Sequence, residues 1–164
     1  MTRRATIELF KEYMNFSIGH FTIFSASERE NLHGHNYNVY VAMTTQIKDD
    51  GMSFNYCYYK EKFRKLCDQL DETVVIAGKS KYLSIKEDDK YIHVIFNNED
   101  MPFLKRDVTI LPITNVTVEE LSHWLLEQIR QDEQELKNNN IIGVTVKVFS
   151  AAGQSGATSW GEIA

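Results

Sequence analysis

The chain has 164 residues, 43% hydrophobic and 25% charged, with a net charge of −5. That length suits one domain around one core, and the acidic balance excludes a general nucleic-acid binder, which would carry a basic stripe. No run approaches the roughly 20 apolar residues of a bilayer-crossing helix, so no membrane partner is expected. The opening "MTRRATIELFKEYMNF" has no apolar core of signal-peptide length. Cys57 and Cys67 form no disulfide framework. The sequence therefore reads as a reduced, cytoplasmic protein, and the sequons at Asn15 and Asn115 read as chance matches.

Residues 12–23 alternate loosely, and Met14, Phe16, Ile18 and His20 share one face at the two-residue period of a strand. A loop is expected over 22–32. Residues 35–47, rich in Tyr, Val and Thr, predict a second strand that ends at the turn "KDDG", 48–51. Residues 56–70 predict a helix, because Tyr56, Tyr59, Phe63, Leu66, Cys67 and Leu70 recur at helical spacing. Residues 82–96 predict a hairpin with "EDDK" at its tip. Thr117 and Glu120 make a capping box that opens a helix over 117–136, with Val118, Leu121, Trp124, Leu125 and Ile129 as its apolar stripe. "KNNN", 137–140, ends it. Residues 141–149 predict a last strand, and the small, Gly-rich "SAAGQSGATSW" reads as a close-packed loop. This order gives an α+β domain with a largely antiparallel sheet.

The stretch "SERENLHGHNYNVYV", residues 27–41, carries His33 and His35 at the mouth of the second strand. On a strand, residues i and i+2 share a face about 7 Å apart. The pair reads either as a metal clamp or as two polar residues at a strand end. His20, on the neighbouring strand, supplies a third imidazole. Three histidines fit a catalytic zinc site with a fourth position open for water or substrate. Gly34 is expected to let the backbone approach closely between the two ligands. His93 and His123 read as ordinary surface or interface histidines.

With these residues in view, "FSIGH" followed by "ENLHGHNYNVYV" resembles the 6-pyruvoyltetrahydropterin synthase and 6-carboxytetrahydropterin synthase family. "DDGMSFNY", "LDE" at 70–72, "TNVTVEELSHWL" and "VTVKVFS" resemble further family segments in the same order, apart from an insertion around 78–112. The resemblance implies a tunnelling fold: a four-stranded antiparallel sheet with two helices on one face, to which the inserted hairpin adds. It implies zinc on His20, His33 and His35, and a pterin substrate, usually 7,8-dihydroneopterin triphosphate. It also implies homo-oligomers, trimers or hexamers, with active sites at subunit interfaces.

The sequence departs from the family at three places. Where the best-known members carry a catalytic cysteine, this chain has Ser27 or Arg29, and neither can act as a poised thiolate. Glu30 stands three residues before His33, as in a branch that cleaves the side chain to give 6-hydroxymethyl-7,8-dihydropterin. A carboxylate there is a candidate general base. The family's relay histidine is Glu72 here, beside Asp71, which leaves those two as relay candidates. The glutamate that clamps the pterin ring aligns with Ser150, so Thr117, Glu119 and Ser150 are the candidate ring contacts. The reading is a zinc-dependent lyase acting on a pterin. The alternatives are a non-catalytic zinc-binding paralogue and an enzyme acting on a related heterocycle.

Overall fold

The computed structural model describes residues 3–163. The chain opens on β1 (Arg4–Leu9) and β2 (Asn15–His20), then runs through β3 (His33–Gln46) to α1 (Tyr56–Leu70). It continues through β4 (Thr73–Ala77), β5 (Leu83–Glu87), β6 (Tyr91–Phe96), β7 (Glu99–Leu104) and β8 (Val108–Leu111). The last part is α2 (Val118–Arg130), α3 (Glu133–Asn138), β9 (Ile141–Ala151) and β10 (Gln154–Gly161). The α+β class expected from the sequence is what the structure shows.

The sheet is larger than four strands. It has seven, in the order β10-β9-β3-β2-β4-β8, with β1 also paired to β3. The length of β3 explains this: residues 33–38 pair with β2 and residues 41–46 with β1, both antiparallel. β4 and β8 then extend the sheet with parallel pairs. The tail expected to be a loop is the edge strand β10, antiparallel to β9. The long helix expected over 117–136 is two helices. It breaks at Asp132, whose carboxylate accepts from the Glu135 N–H at 2.9 Å and caps a new helix start. The hairpin of 82–96 gains a third strand and becomes the separate sheet β5-β6-β7.

Two cores result. The main core lies between the sheet and the helices, where Tyr59, Phe63 and Leu70 of α1 and Leu121, Leu125 and Ile129 of α2 meet Phe16, Tyr37, Val39 and Val41. Each such side chain, fully buried, contributes about 1.5–3 kcal/mol. The second core joins the three-stranded sheet to the main one through Phe21, Ile23, Ile76, Ile92, Val94 and Phe96. β4 feeds both, Val75 and Ala77 into the first and Ile76 into the second, as expected of a parallel strand covered on two faces. The chain crosses from one core to the other between Ile18 and Phe21, so His20 lies at the seam.

Candidate metal centre and active site

The strand periods place the three histidines together. Antiparallel register sets His20 opposite His33 and Ile18 opposite His35. The buried face of β2, Phe16 and Ile18, therefore ends in His20, and the buried face of β3 begins with His33 and His35. Each of the three offers a ring nitrogen within 4.8 Å of the others, enough to hold a metal ion. His20 Nε2 and His35 Nδ1 are 3.3 Å apart. That is close to the edge of a tetrahedron with metal–nitrogen bonds of about 2.0–2.1 Å.

Outer groups fix the rings. His20 Nδ1 is 3.3 Å from the Val116 carbonyl, and His33 Nδ1 is 2.8 Å from the Asn31 carbonyl. Each nitrogen is thereby assigned as the protonated donor, which leaves Nε2 as the ligand atom. Burial and the neighbouring His33 hold His20 below its ordinary value, against the pull of Val116. A neutral imidazole is the form that binds a metal. The Tyr37 hydroxyl lies 3.1 Å from His20 Nε2. Burial, and then the charge of Glu30, push this phenol up to about 12, so it stays protonated.

Glu30 is on the same cavity wall. The cavity, about 240 Å³, is lined by His20, Thr22, Glu30, His33, His35 and Tyr37 and closed by Thr117, Glu119, Ser150 and Gln154. Glu30 Oε2 accepts from the Thr22 N–H at 2.9 Å, and the Glu30 N–H donates to the Thr22 carbonyl at 2.9 Å. Burial raises its carboxyl, but the hydrogen bonds from Thr22 and the nearby His33 and His20 outweigh this and hold it below the ordinary value.

The opposite wall is the start of α2. The Thr117 hydroxyl accepts from the Glu120 N–H at 3.3 Å. The other half of the expected capping box is redirected, because the Glu120 carboxylate takes the Thr114 N–H and hydroxyl instead. Gly156 of β10 lets the strand reach this helix start: a Cβ there would sit 2.7 Å from the Val118 carbonyl carbon. Asn115 clips the helix start to the strand side, accepting from the Ile23 N–H at 3.0 Å and donating to the Ile23 carbonyl at 2.9 Å.

Residues 8–159 match the model of the 6-pyruvoyl tetrahydropterin synthase family. The chain belongs to that family. It is similar to the 6-pyruvoyl tetrahydropterin synthase of Plasmodium vivax, with 29% identity and a TM-score of 0.90 over 98% of this chain and 99% of that one. A variant of the P. vivax enzyme in which a glutamate, described as a catalytic residue, is replaced by alanine superposes with the same TM-score of 0.90 and 29% identity over the same shares of the two chains. A Methanocaldococcus jannaschii protein, provisionally named a 6-carboxy-5,6,7,8-tetrahydropterin synthase, is 24% identical over 75% of this chain and 76% of its own.

What chemistry the cavity can support depends on which residues share it. Seven of the residues singled out from sequence do: His20, His33, His35, Glu30, Thr117, Glu119 and Ser150. Asp71 and Glu72 do not. The Asp71 carboxylate accepts from the Ser17 N–H at 2.7 Å and pins the end of α1 to β2. Glu72, at φ +58°, donates its N–H to the Ser17 carbonyl. It lines a second recess with Gly34, His35, Asn36 and Asp107. Gly34 does not mark a close approach within the chain, since a Cβ there would meet only the Ile18 carbonyl oxygen at 4.0 Å. Neither cysteine lines the cavity: Cys57 is exposed, and Cys67 is buried in the main core, which pushes its thiol up to about 12. His123 is exposed on α2, and His93 is held between two carboxylates. Sequence reasoning missed Tyr37 and Asn115. The signal for Tyr37 was present, since it is the next step of the His33–His35 period.

Proposed function

We propose that this chain is a cytoplasmic, homo-oligomeric, zinc-dependent pterin enzyme that cleaves the side chain of 7,8-dihydroneopterin triphosphate or a related pterin, giving 6-hydroxymethyl-7,8-dihydropterin. One observation carries the reading. The cavity of the three histidines holds a fixed carboxylate, Glu30, and no thiol among the described residues. The catalytic glutamate named for the P. vivax relative supports a carboxylate in that role.

The residues present fit zinc: three imidazoles in mutual reach, two of them with Nδ1 turned to a backbone carbonyl. When held by His20, His33 and His35, zinc would polarise the side-chain oxygens of the substrate. Glu30, as general base, takes the proton from the hydroxyl on the second side-chain carbon. The bond between the first and second side-chain carbons breaks, and its electron pair passes into the pterin ring. Reprotonation of the first carbon leaves the hydroxymethyl group, and the remaining two-carbon piece departs as an aldehyde that keeps the phosphates. Thr117, Glu119 and Ser150 receive the ring. Glu119 is exposed at the cavity, and its carboxylate can accept two charge-assisted bonds from the ring's N–H edge. Asp71 and Glu72 are assigned to proton relay: Glu72 lines the second recess, which shares His35 with the first, and Asp71 precedes it in the chain with its carboxylate on the Ser17 N–H.

The test is to incubate the zinc-loaded protein with dihydroneopterin triphosphate and identify products by mass spectrometry. The expected product is 6-hydroxymethyl-7,8-dihydropterin. Glu30→Gln is expected to lose about 10²–10⁴ in rate, the usual share of an acid–base group, at unchanged zinc content. A 6-carboxytetrahydropterin product would move the chain to the chemistry in the M. jannaschii protein's name. Absence of both turnover and pterin binding by calorimetry would leave a non-catalytic zinc-binding paralogue.

A further inference from the structure

We infer that Arg29 is a positioning residue that couples Glu30 to the three-stranded sheet, so that this sheet holds the base of the histidine cavity in place. Arg29 is half-buried. Its guanidinium lies 4.9 Å from the ring centre of Phe21 and 5.6 Å from that of Phe96. Its Nη1 donates to the Glu30 carbonyl at 2.7 Å. The arginine ion pairs among the described residues belong to Arg4, Arg64, Arg106 and Arg130. Arg29 is instead held by two aromatic faces and one carbonyl.

The identity of those two rings gives the contact its meaning. Phe21 follows the ligand His20 directly, and Phe96 ends β6 in the three-stranded sheet. Both are buried in the second core. The guanidinium therefore joins three parts: the ligand strand, the three-stranded sheet and the peptide that follows Glu30. That peptide is short of freedom on its far side as well, because the next carbonyl, Asn31, is bonded to His33 Nδ1 at 2.8 Å. On its near side Arg29 pairs with Ile23 across the hairpin of residues 22–30. Fixing the Glu30 carbonyl sets both the aim of the carboxylate at the cavity and the spacing from Glu30 to His33. Arginine suits this because its planar fork can stack on the rings and donate a hydrogen bond at once, which lysine's single ammonium does less well.

The inference builds on the reading of Glu30 as base, and the experiment separates the two. Amide hydrogen exchange is measured for the wild type, Arg29→Met, Arg29→Lys, Phe96→Leu and the Arg29→Met/Phe96→Leu double variant, with the amides of β3 and β9 as the control for intact folding. Turnover of dihydroneopterin triphosphate and zinc content are measured on the same proteins. Arg29→Met is expected to speed exchange at the Thr22 and Glu30 amides and to lower kcat about tenfold, below the hundredfold that a 1 Å misplacement can cost, with KM and zinc content unchanged. Arg29→Lys should recover part of both losses. Phe96→Leu should act in the same direction, and the double variant should be no worse than the worse single, because coupled sites are not additive. Wild-type exchange at Thr22 and Glu30 in Arg29→Met would overturn the inference, as would full additivity with Phe96→Leu. Should Glu30→Gln turn over normally, the base reading falls, and the exchange data alone decide whether Arg29 positions the segment.

Discussion

At the end of the main sheet three imidazoles face one another, and their hydrogen bonds go to carbonyls, a phenol and each other. In the three-stranded sheet a fourth imidazole, His93, is gripped by two carboxylates, Asp100 at 2.8 Å and Asp88 at 2.9 Å. The same side chain is pushed in opposite directions. Burial and a like-charged neighbour lower His20, whereas the hydrogen bonds to Asp88 and Asp100 raise His93. The first arrangement can supply lone pairs to a metal. The second uses both ring nitrogens as donors and has none to give. What surrounds a histidine, rather than how many stand nearby, separates a ligand from a structural cation.

The largest effect that bears on this contrast is expected at Asn115, which ties the wall of the metal site together. Asn115→Ala removes three backbone partners, the Ile23 N–H, the Ile23 carbonyl and the Val116 N–H. Leaving such groups unpaired should destabilise the protein by about 3 kcal/mol, read as a shift of the urea midpoint. The lost restraint on Val116 should also loosen His20, whose Nδ1 it accepts from. Tyr37→Phe comes next. It keeps the buried ring and removes the hydroxyl that competes with a metal for the His20 Nε2 lone pair, so stability should hold while zinc affinity rises by up to about tenfold, the worth of one hydrogen bond, as measured by competition with a chelator.

The smallest effect lies on the other side of the comparison and depends on pH. His93 is raised above its ordinary 6.5, so its contribution is complete below 6.5 and is lost as pH rises through the raised value. Asp88 is depressed below its ordinary 3.8, chiefly by His93, so its contribution is present above 3.8 and is lost as pH falls through the depressed value. Both act fully between those ordinary values. Amide exchange in β6 and β7, corrected for intrinsic rates, should be slowest in that window and faster toward pH 8.5. His93→Gln should flatten the profile. A pH dependence that survives His93→Gln would place its origin elsewhere.

Much of the metal site was legible in the sequence because its logic is local. A two-residue period on adjoining strands carries His33, His35 and His20 to one face whatever the rest of the chain does. Tyr37 lay on the same period and was read only as strand-forming, because a tyrosine in a strand looks like packing until its hydroxyl finds a partner. The edge strand β10 was hidden because its residues are small and polar. Its pairing depends on β9 and on the close approach to α2 that Gly156 allows, and both are tertiary. β4 was missed for another reason: "TVVIA" is only five residues long and follows α1 after a two-residue turn, and its place is set by parallel pairing with β2 and β8, which is tertiary. The turn itself gave no glycine or asparagine signal, because Glu72 takes φ +58°. Asn115 carried no signal beyond a chance sequon, since its partner Ile23 is 92 residues away.

The central claim is that His20, His33 and His35 hold zinc and that His93 does not. Zinc content after loading and dialysis tests it most directly, compared among the wild type, His33→Ala and His93→Ala. The account predicts one zinc per chain in the wild type and in His93→Ala, with loss of stoichiometric zinc in His33→Ala. A His33→Ala protein that still carries one zinc per chain would contradict it.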